Sequence, residues 1–262
     1  MSNLLIHPGP VTEVAINRPR VRNALNTATI EELLDLLAEL SCDDGVDVVV
    51  LTGTGDKAFC AGADLGEVAN LSDPEAITRY FGNMAGLISA LNHLPQPVVG
   101  AAFGHVLAGG MGLAAGVDLL VASKDARFGL PEVKVGLYPM VVTAPIQRLI
   151  GARRTLDLSL TGRIIDAETA FAWGLVNRLV APGQARAEAL ALAEEIRAQS
   201  PVVARRGKEG WRLAQELDVE AAMQALKSLG SLVALTDDSK EGVAAFLQKR
   251  EPQWPSKKRS GT

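Results

Sequence analysis

A glycine cluster and a carboxylate some twenty residues beyond it are the parts of this sequence best suited to chemistry. The cluster, Gly109-Gly110-x-Gly112, lies in PVVGAAFGHVLAGGMGLAAGVDLLVASKDARFGLPEVKVGLYP, residues 97–139. It joins an apolar strand run, Val98–Phe103, to a helix of small residues, and a second strand is expected at Leu119–Ala122. Glycines at such a turn let the backbone bend tightly and approach a ligand closely. The first turn of the helix then offers N–H groups with no intrahelical partner, at the positive end of the helix dipole. That arrangement suits an anion, including one that forms during a reaction. Glu132 follows Pro131 in FGLPEV, a carboxylate in apolar company. By its residues alone it also reads as a plain strand-end carboxylate. Set against anion-stabilising amides, it could remove a proton next to a carbonyl.

The surrounding elements must hold these groups. Val11–Ile16 alternates as a short strand that ends at Asn17-Arg18-Pro19. NALNTATIEELLDLLAEL is an amphipathic helix, with Ile30, Leu33, Leu34, Leu37 and Leu40 on one face and Thr29 with Glu32 as a capping box. Val46–Leu51 reads as a strand buried on both faces. Gly53-x-Gly55 after it lacks the rest of a dinucleotide fingerprint and reads as a turn. AFCAGADL, residues 58–65, is a tight loop in which Asp64 starts a helix. Residues 74–94 are helical and end at Pro95 and Pro97. RLIGARRTLDLSLTG predicts a helix broken at Gly162, and DAETAFAWGLVNRLV a short helix, a stop at Gly174 and a strand. Helices are expected over 186–198, 202–215, 218–235 and 239–249. Strands alternating with helices, then helices alone, indicate an α/β fold with a helical C-terminal unit. The boundary falls near Ser200-Pro201, dividing residues 1–199 from 200–262. Apolar faces expected on the last helices suggest subunit packing.

Composition narrows the functional classes. At 262 residues, 48% hydrophobic and net charge −4, the chain is of the globular class. Aromatics at 4% and the acidic balance argue against a nucleic-acid partner. The basic run Lys257-Lys258-Arg259 reads as a solvated tail. Two cysteines, Cys42 and Cys60, and three scattered histidines form no disulfide framework and no metal motif. The N-terminus carries no signal-peptide pattern, so a cytoplasmic setting is expected. Val98–Val117 lacks Asp, Glu, Lys and Arg over a membrane-spanning length, but its glycines, the proline before it and His105 argue against a membrane helix.

The chain resembles the enoyl-CoA hydratase/isomerase family, the crotonase superfamily. The resemblance rests on NRPRVRNAL (17–25), AFCAGADL (58–65), residues 97–132, LTGRIIDAETAFAWGLVNRLV (160–180) and SKEGVAAFLQKREP (239–252) in that order. It implies a crotonase-like spiral of ββα repeats with a C-terminal helical trimerisation region, commonly in a dimer of trimers. It also implies acyl-CoA substrates, with coenzyme A as part of the substrate and no permanently bound cofactor. By position, Ala63 and Gly109 resemble the two oxyanion-hole amides, and Glu132 the second of the family's two catalytic glutamates. Ala61, Ala63, Asp64 and Leu65 match the segment that holds adenine and pantetheine. Arg22 and Lys249 match basic positions near the CoA phosphates and adenine, with Lys249 serving a neighbouring subunit. His105 and Tyr138 are further candidates for a substrate hydrogen bond, and Gly112 lies on the same substrate-binding stretch.

Three departures bear on the reaction. Gly112 stands where the two-glutamate hydratases carry their first glutamate, in the family's G-G-G-C-E segment. One base suffices to shift a double bond, whereas hydration is best served by two carboxylates around one water. Branches of the family similar to methylglutaconyl-CoA hydratase nevertheless carry glycine here. The expectation is therefore a 2-enoyl-CoA hydratase with Glu132 as its single acid/base. A Δ3,Δ2-enoyl-CoA isomerase is the alternative, and a non-catalytic acyl-CoA-binding subunit a more distant one. Glu67, Asp73 and Glu75 are the other acids near the acyl region. PMVVTAPIQRL replaces P-G-A-G-G-T-Q-R-L after Pro139, so the wall near Glu132 is bulkier and an acyl group other than the usual short straight one is expected. Gly66 stands where many members have lysine, which removes one phosphate contact.

Overall fold

The computed structural model describes residues 2–259. Leu4–His7 (β1) pairs antiparallel with Val11–Ile16 (β2), and the chain then enters helix Thr27–Ser41 (α1). Asn26 caps α1 by accepting from the Thr29 amide at 3.0 Å, a contribution of about 1 kcal/mol. The expected Thr29–Glu32 capping box does not form, because Glu32 turns back to accept from Ser2 and from the Asn3 amide. Two strands follow, Val48–Gly53 (β3) and Ala58–Cys60 (β4), and then helices Leu65–Val68 (α2) and Pro74–His93 (α3). The next pair is Val98–Ala102 (β5) and His105–Leu107 (β6), leading into helix Gly109–Gly116 (α4). The third pair is Leu119–Ser123 (β7) and Arg127–Gly129 (β8), leading through a 3-10 turn, Pro131–Val135, into Met140–Ile150 (α5) and Ala152–Thr161 (α6).

Each strand pair gives one strand to each of two sheets. The larger runs β1-β2-β3-β5-β7 and ends on Arg178–Val180, and the smaller runs β4-β6-β8 and ends on Ile164–Asp166. Ile164–Asp166 is β9, Ala167–Ala172 is α7 and Arg178–Val180 is β10. This is the spiral of ββα turns. Gly104 makes the switch between sheets inside the apolar run: at φ +53°, with any Cβ only 2.2 Å from the Lys57 carbonyl oxygen, it tolerates no side chain. The fold therefore breaks the uncharged stretch Val98–Val117 into β5, β6 and α4. Among the described residues no helix is long and apolar enough to cross a membrane.

The larger sheet is covered on both faces, which accounts for its continuous valines. Helix Ala185–Arg197 (α8) packs Ala189, Leu192 and Ala193 on Val48, Val50, Val99 and Val121. On the other face α1, α3 and α4 supply Leu33, Leu37, Leu87 and Leu113. The alternation in β2 does not mark a solvent face, since Glu13 is buried and paired with Arg186 of α8 at 2.6 Å.

The last helices are Pro201–Glu216 (α9), Val219–Ala234 (α10), Asp237–Leu247 (α11) and Pro255–Arg259 (α12). Lys208 of α9 reaches into the core, bonding Asp118 at 2.7 Å, while Asp118 also accepts from the Val98 amide at 2.7 Å. Outward, α10, the turn after it and α11 present Val219, Met223, Leu235 and Phe246, the last 82% exposed. In the terminal basic run Lys257 donates to the Arg197 carbonyl, so it is held rather than free; the side chains of Lys258 and Arg259 lie outside the described residues.

Candidate active site

The smaller sheet assembles the site. Strands β4, β6 and β8 run parallel, with Cys60 beside Val106 and Leu107 beside Gly129. Their carboxyl ends therefore emerge together, about 4.8 Å apart from strand to strand. β4 ends in Ala61-Gly62-Ala63, β6 in Ala108-Gly109, and β8 in Leu130-Pro131-Glu132. All three loops line one cavity of about 370 Å³.

The first two loops touch. A Cβ on Gly62 would lie 2.6 Å from the Ala108 Cβ and 3.1 Å from the Gly109 nitrogen, and Gly62 has φ +99°. Gly110 sits still closer to β4, where a Cβ would fall 2.1 Å from the Cys60 carbonyl oxygen. Only glycine fits at either place. Ala108 precedes α4 at φ 53°, ψ −121°, and contributes no side-chain cap. Such a conformation in a residue with a Cβ costs roughly 1–3 kcal/mol and must be held by its surroundings. The hold is the Ala108 amide on the Gly129 carbonyl at 3.0 Å. Among the hydrogen bonds of the described residues, none uses the Ala63 or the Gly109 N–H.

A strap from the N-terminal side fixes the Ala63 loop. The Leu25 amide donates to the Gly62 carbonyl and the Asp64 amide to the Leu25 carbonyl, at 2.8 and 2.9 Å. The Ala61 amide donates to the Arg22 carbonyl at 3.0 Å. Arg18 closes the strap, pairing with Asp64 at 2.9 Å and donating to the Ala24 carbonyl. The buried Tyr80 hydroxyl donates to the Leu25 carbonyl at 2.8 Å.

Glu132 enters from the third loop. Pro131 starts the 3-10 turn, and Gly136 at φ 77° ends it with its amide on the Glu132 and Val133 carbonyls. The Glu132 carboxyl is half-buried, and its Oε2 is buried with no hydrogen-bond partner. Burial pushes this carboxyl up to about 7, with only its own backbone N–H pulling the other way. The rest of the lining is largely apolar, including Phe81, Met84, Val135, Leu137 and Val142.

The remaining candidates divide. Ala61, Leu65 and Tyr138 line the same cavity. Asp64 is engaged with Arg18 and caps α2 through the Gly66 amide at 3.1 Å. Arg22 borders a separate depression with Arg20 and Lys57. Lys249 is exposed just beyond α11, at φ 53°. Gly112 is fully buried and does not line the cavity: Val142 and Ile88 fill the space beside it. His105 also lies outside the lining, its Nδ1 buried without a partner. Glu67 accepts from the Thr27 amide, and Asp73 caps α3. Glu75 is exposed on α3. Among the lining residues Glu132 is therefore the one carboxylate. Sequence reasoning passed over Arg18, Ala108 and Val142. Only Arg18, in NRPRVRNAL next to a proline, and Val142, in the unusual PMVV run, left any trace to follow.

Comparison with known proteins agrees over almost the whole length. Residues 7–257 match the family model described as enoyl-CoA hydratase/isomerase. A putative enoyl-CoA hydratase of Thermus thermophilus is 38% identical over 251 residues, covering 95% of this chain and 99% of that protein. The crotonyl-CoA hydratase of Syntrophomonas wolfei is 36% identical over 244 residues, covering 92% and 93%. The crystal structure of an enoyl-CoA hydratase from Bacillus anthracis superposes with a TM-score of 0.93 at 33% identity, over 97% of this chain and 100% of that one.

Proposed function

The chain belongs to the enoyl-CoA hydratase/isomerase family, and from that premise we propose that it is a 2-enoyl-CoA hydratase with one acid/base, Glu132. The observation that carries the reading is the unpartnered Oε2 of Glu132 in an apolar cavity shared with two unused amides. The thioester carbonyl oxygen accepts from the Ala63 and Gly109 N–H groups. Glu132 takes a proton from water as the water oxygen bonds to C3, and negative charge moves onto the thioester oxygen. The enolate then takes that proton from Glu132 at C2, so one water is added and the carboxylate is regenerated. Each amide supplies roughly 3–4 kcal/mol to the charged state, and the carboxylate's raised pKa suits both halves of its task near neutral pH.

Coenzyme A enters as part of the substrate, with Ala61 and Leu65 along the pantetheine arm and Tyr138 at the acyl end. Arg22 and Lys249 stand outside the cavity, and their proposed place is at the nucleotide end, Lys249 across a subunit boundary. Residues 1–199 form the catalytic unit and 200–262 the oligomerisation unit. The apolar residues exposed on α10 and α11 support a trimer or a dimer of trimers. A cytoplasmic setting fits two free thiols.

One observation favours a second reading. With a single carboxylate in the lining, a Δ3,Δ2-enoyl-CoA isomerase would use the same base, moving a proton from C2 to C4. Incubation with 2-enoyl- and 3-enoyl-CoA, read by mass spectrometry, separates the two. Gain of one water from the 2-enoyl thioester supports the hydratase, and a mass-neutral shift from the 3-enoyl thioester alone supports the isomerase. Tight binding without either product would leave a non-catalytic acyl-CoA binder.

A further inference from the structure

We propose that Val142 is the specificity-determining residue of the acyl cavity: a wedge that ends it one helical turn from the oxyanion amides and bars the chain from a second cavity. The proposal rests on the thioester reading. Gly112 follows Gly109 by three residues on α4, about 4.5 Å along the helix axis. A Cβ there would lie 2.6 Å from Val142 Cγ1, 2.7 Å from Ile88 Cδ1 and 3.3 Å from Val142 Cβ. Val142 lines the cavity while Gly112 and Ile88 do not, so the valine covers α4 at this level. Beyond Ile88 lies a second space of about 440 Å³, apolar at Ile88, Ala115 and Pro145 and polar at His93, Asp118 and Arg212, and Val141 borders both spaces. The partition is therefore the thickness of Val141, Val142 and Ile88.

The wedge cannot swing aside. Val142 is 3% exposed, and its helix is seated by Ile146 and Ile150, both buried. A β-branched side chain in a helix holds one χ1 rotamer about 90% of the time. An acyl chain bound at the two amides meets this methyl wall early. The bulk after Pro139 thus acts by removing depth, and it also occupies the room a side chain at position 112 would need.

The test measures kcat/KM of the full-length enzyme on crotonyl-, hexenoyl-, octenoyl- and decenoyl-CoA. Contrary to the expectation from PMVVTAPIQRL of an acyl group other than the usual short straight one, the wild type should favour the short substrates, and Val142→Ala should raise the decenoyl-to-crotonyl ratio about tenfold or more. An unchanged ratio, with crotonyl-CoA still turned over, overturns the wedge alone. No turnover of any of the four by the wild type overturns the hydratase reading instead, and the wedge is then decided by the melting cycle. A melting cycle checks the geometry without activity. Gly112→Ala should lower Tm in the wild type and less in the Val142→Ala background, where the Ile88 contact alone remains. Additive shifts would overturn the proposal even if the variants proved inactive.

Discussion

Along the wall made by Ala61–Ala63 and Gly109 the backbone is braced through the Ala61 amide and the Gly62 carbonyl. The strap from Arg18 to Leu25 holds one loop, glycines at 62 and 110 permit contacts that no side chain would allow, and Ala108 is kept in an unfavourable torsion. Across the cavity, Pro131–Val142 is a 3-10 turn and the start of a helix, with Val135 57% and Met140 72% exposed. The braced wall fixes where charge can gather. The looser wall carries Glu132, the proposed proton shuttle, and, but for Val142, side chains free to adapt. Rigid amides cost no reorganisation when charge develops, whereas a wall that meets varied acyl groups loses little by yielding.

This contrast can be broken from either side. Glu132→Gln should lower kcat about a thousandfold and leave acyl-CoA binding measurable by calorimetry, since the amides remain. Gly62→Ala attacks the braced wall. The forced φ and the contact with Ala108 should cost about 2–4 kcal/mol of stability, seen in denaturant melts, with kcat down about a hundredfold.

A pH profile sharpens the contrast. With Glu132 near 7, kcat/KM should fall about tenfold per unit below that pH, and the limb should vanish in Glu132→Gln. Stability runs in a fixed sense. A carboxyl raised above its ordinary 4.5 favours the fold at low pH, and that contribution is lost as pH rises through about 7. Arg18→Met removes a pair whose side chains are 18% and 21% exposed. It should cost about 1–2 kcal/mol, between an exposed and a buried pair, and lower kcat through the Ala63 loop. Met140→Ala, on the exposed wall, should change stability by less than about 0.5 kcal/mol and act on KM rather than kcat.

Legibility in the sequence followed the same division. The glycine turn could be read because glycine reports backbone geometry directly, whereas Glu132 stood out through the family resemblance. The C-terminal helices were legible within one or two residues because their apolar periods are long. The β6 strand was hidden inside an apolar run that only the Gly104 bend divides. Gly112 looked like part of the binding stretch because periodicity says nothing about which neighbour fills the space beside a glycine. Arg18 itself stands beside a proline in NRPRVRNAL, but its pairing with Asp64, 46 residues away in sequence, has no local signature.

Because Ala63, Gly109 and Glu132 leave three successive turns of the spiral, no single turn holds the proposed site. A piece ending before β8 would keep both amides and lack the acid. One beginning after α2 would keep the acid with half an anion cradle. New termini from circular permutation would be tolerated in the outer helices long before they were tolerated between β4 and α5, where chain continuity and catalytic geometry are the same thing.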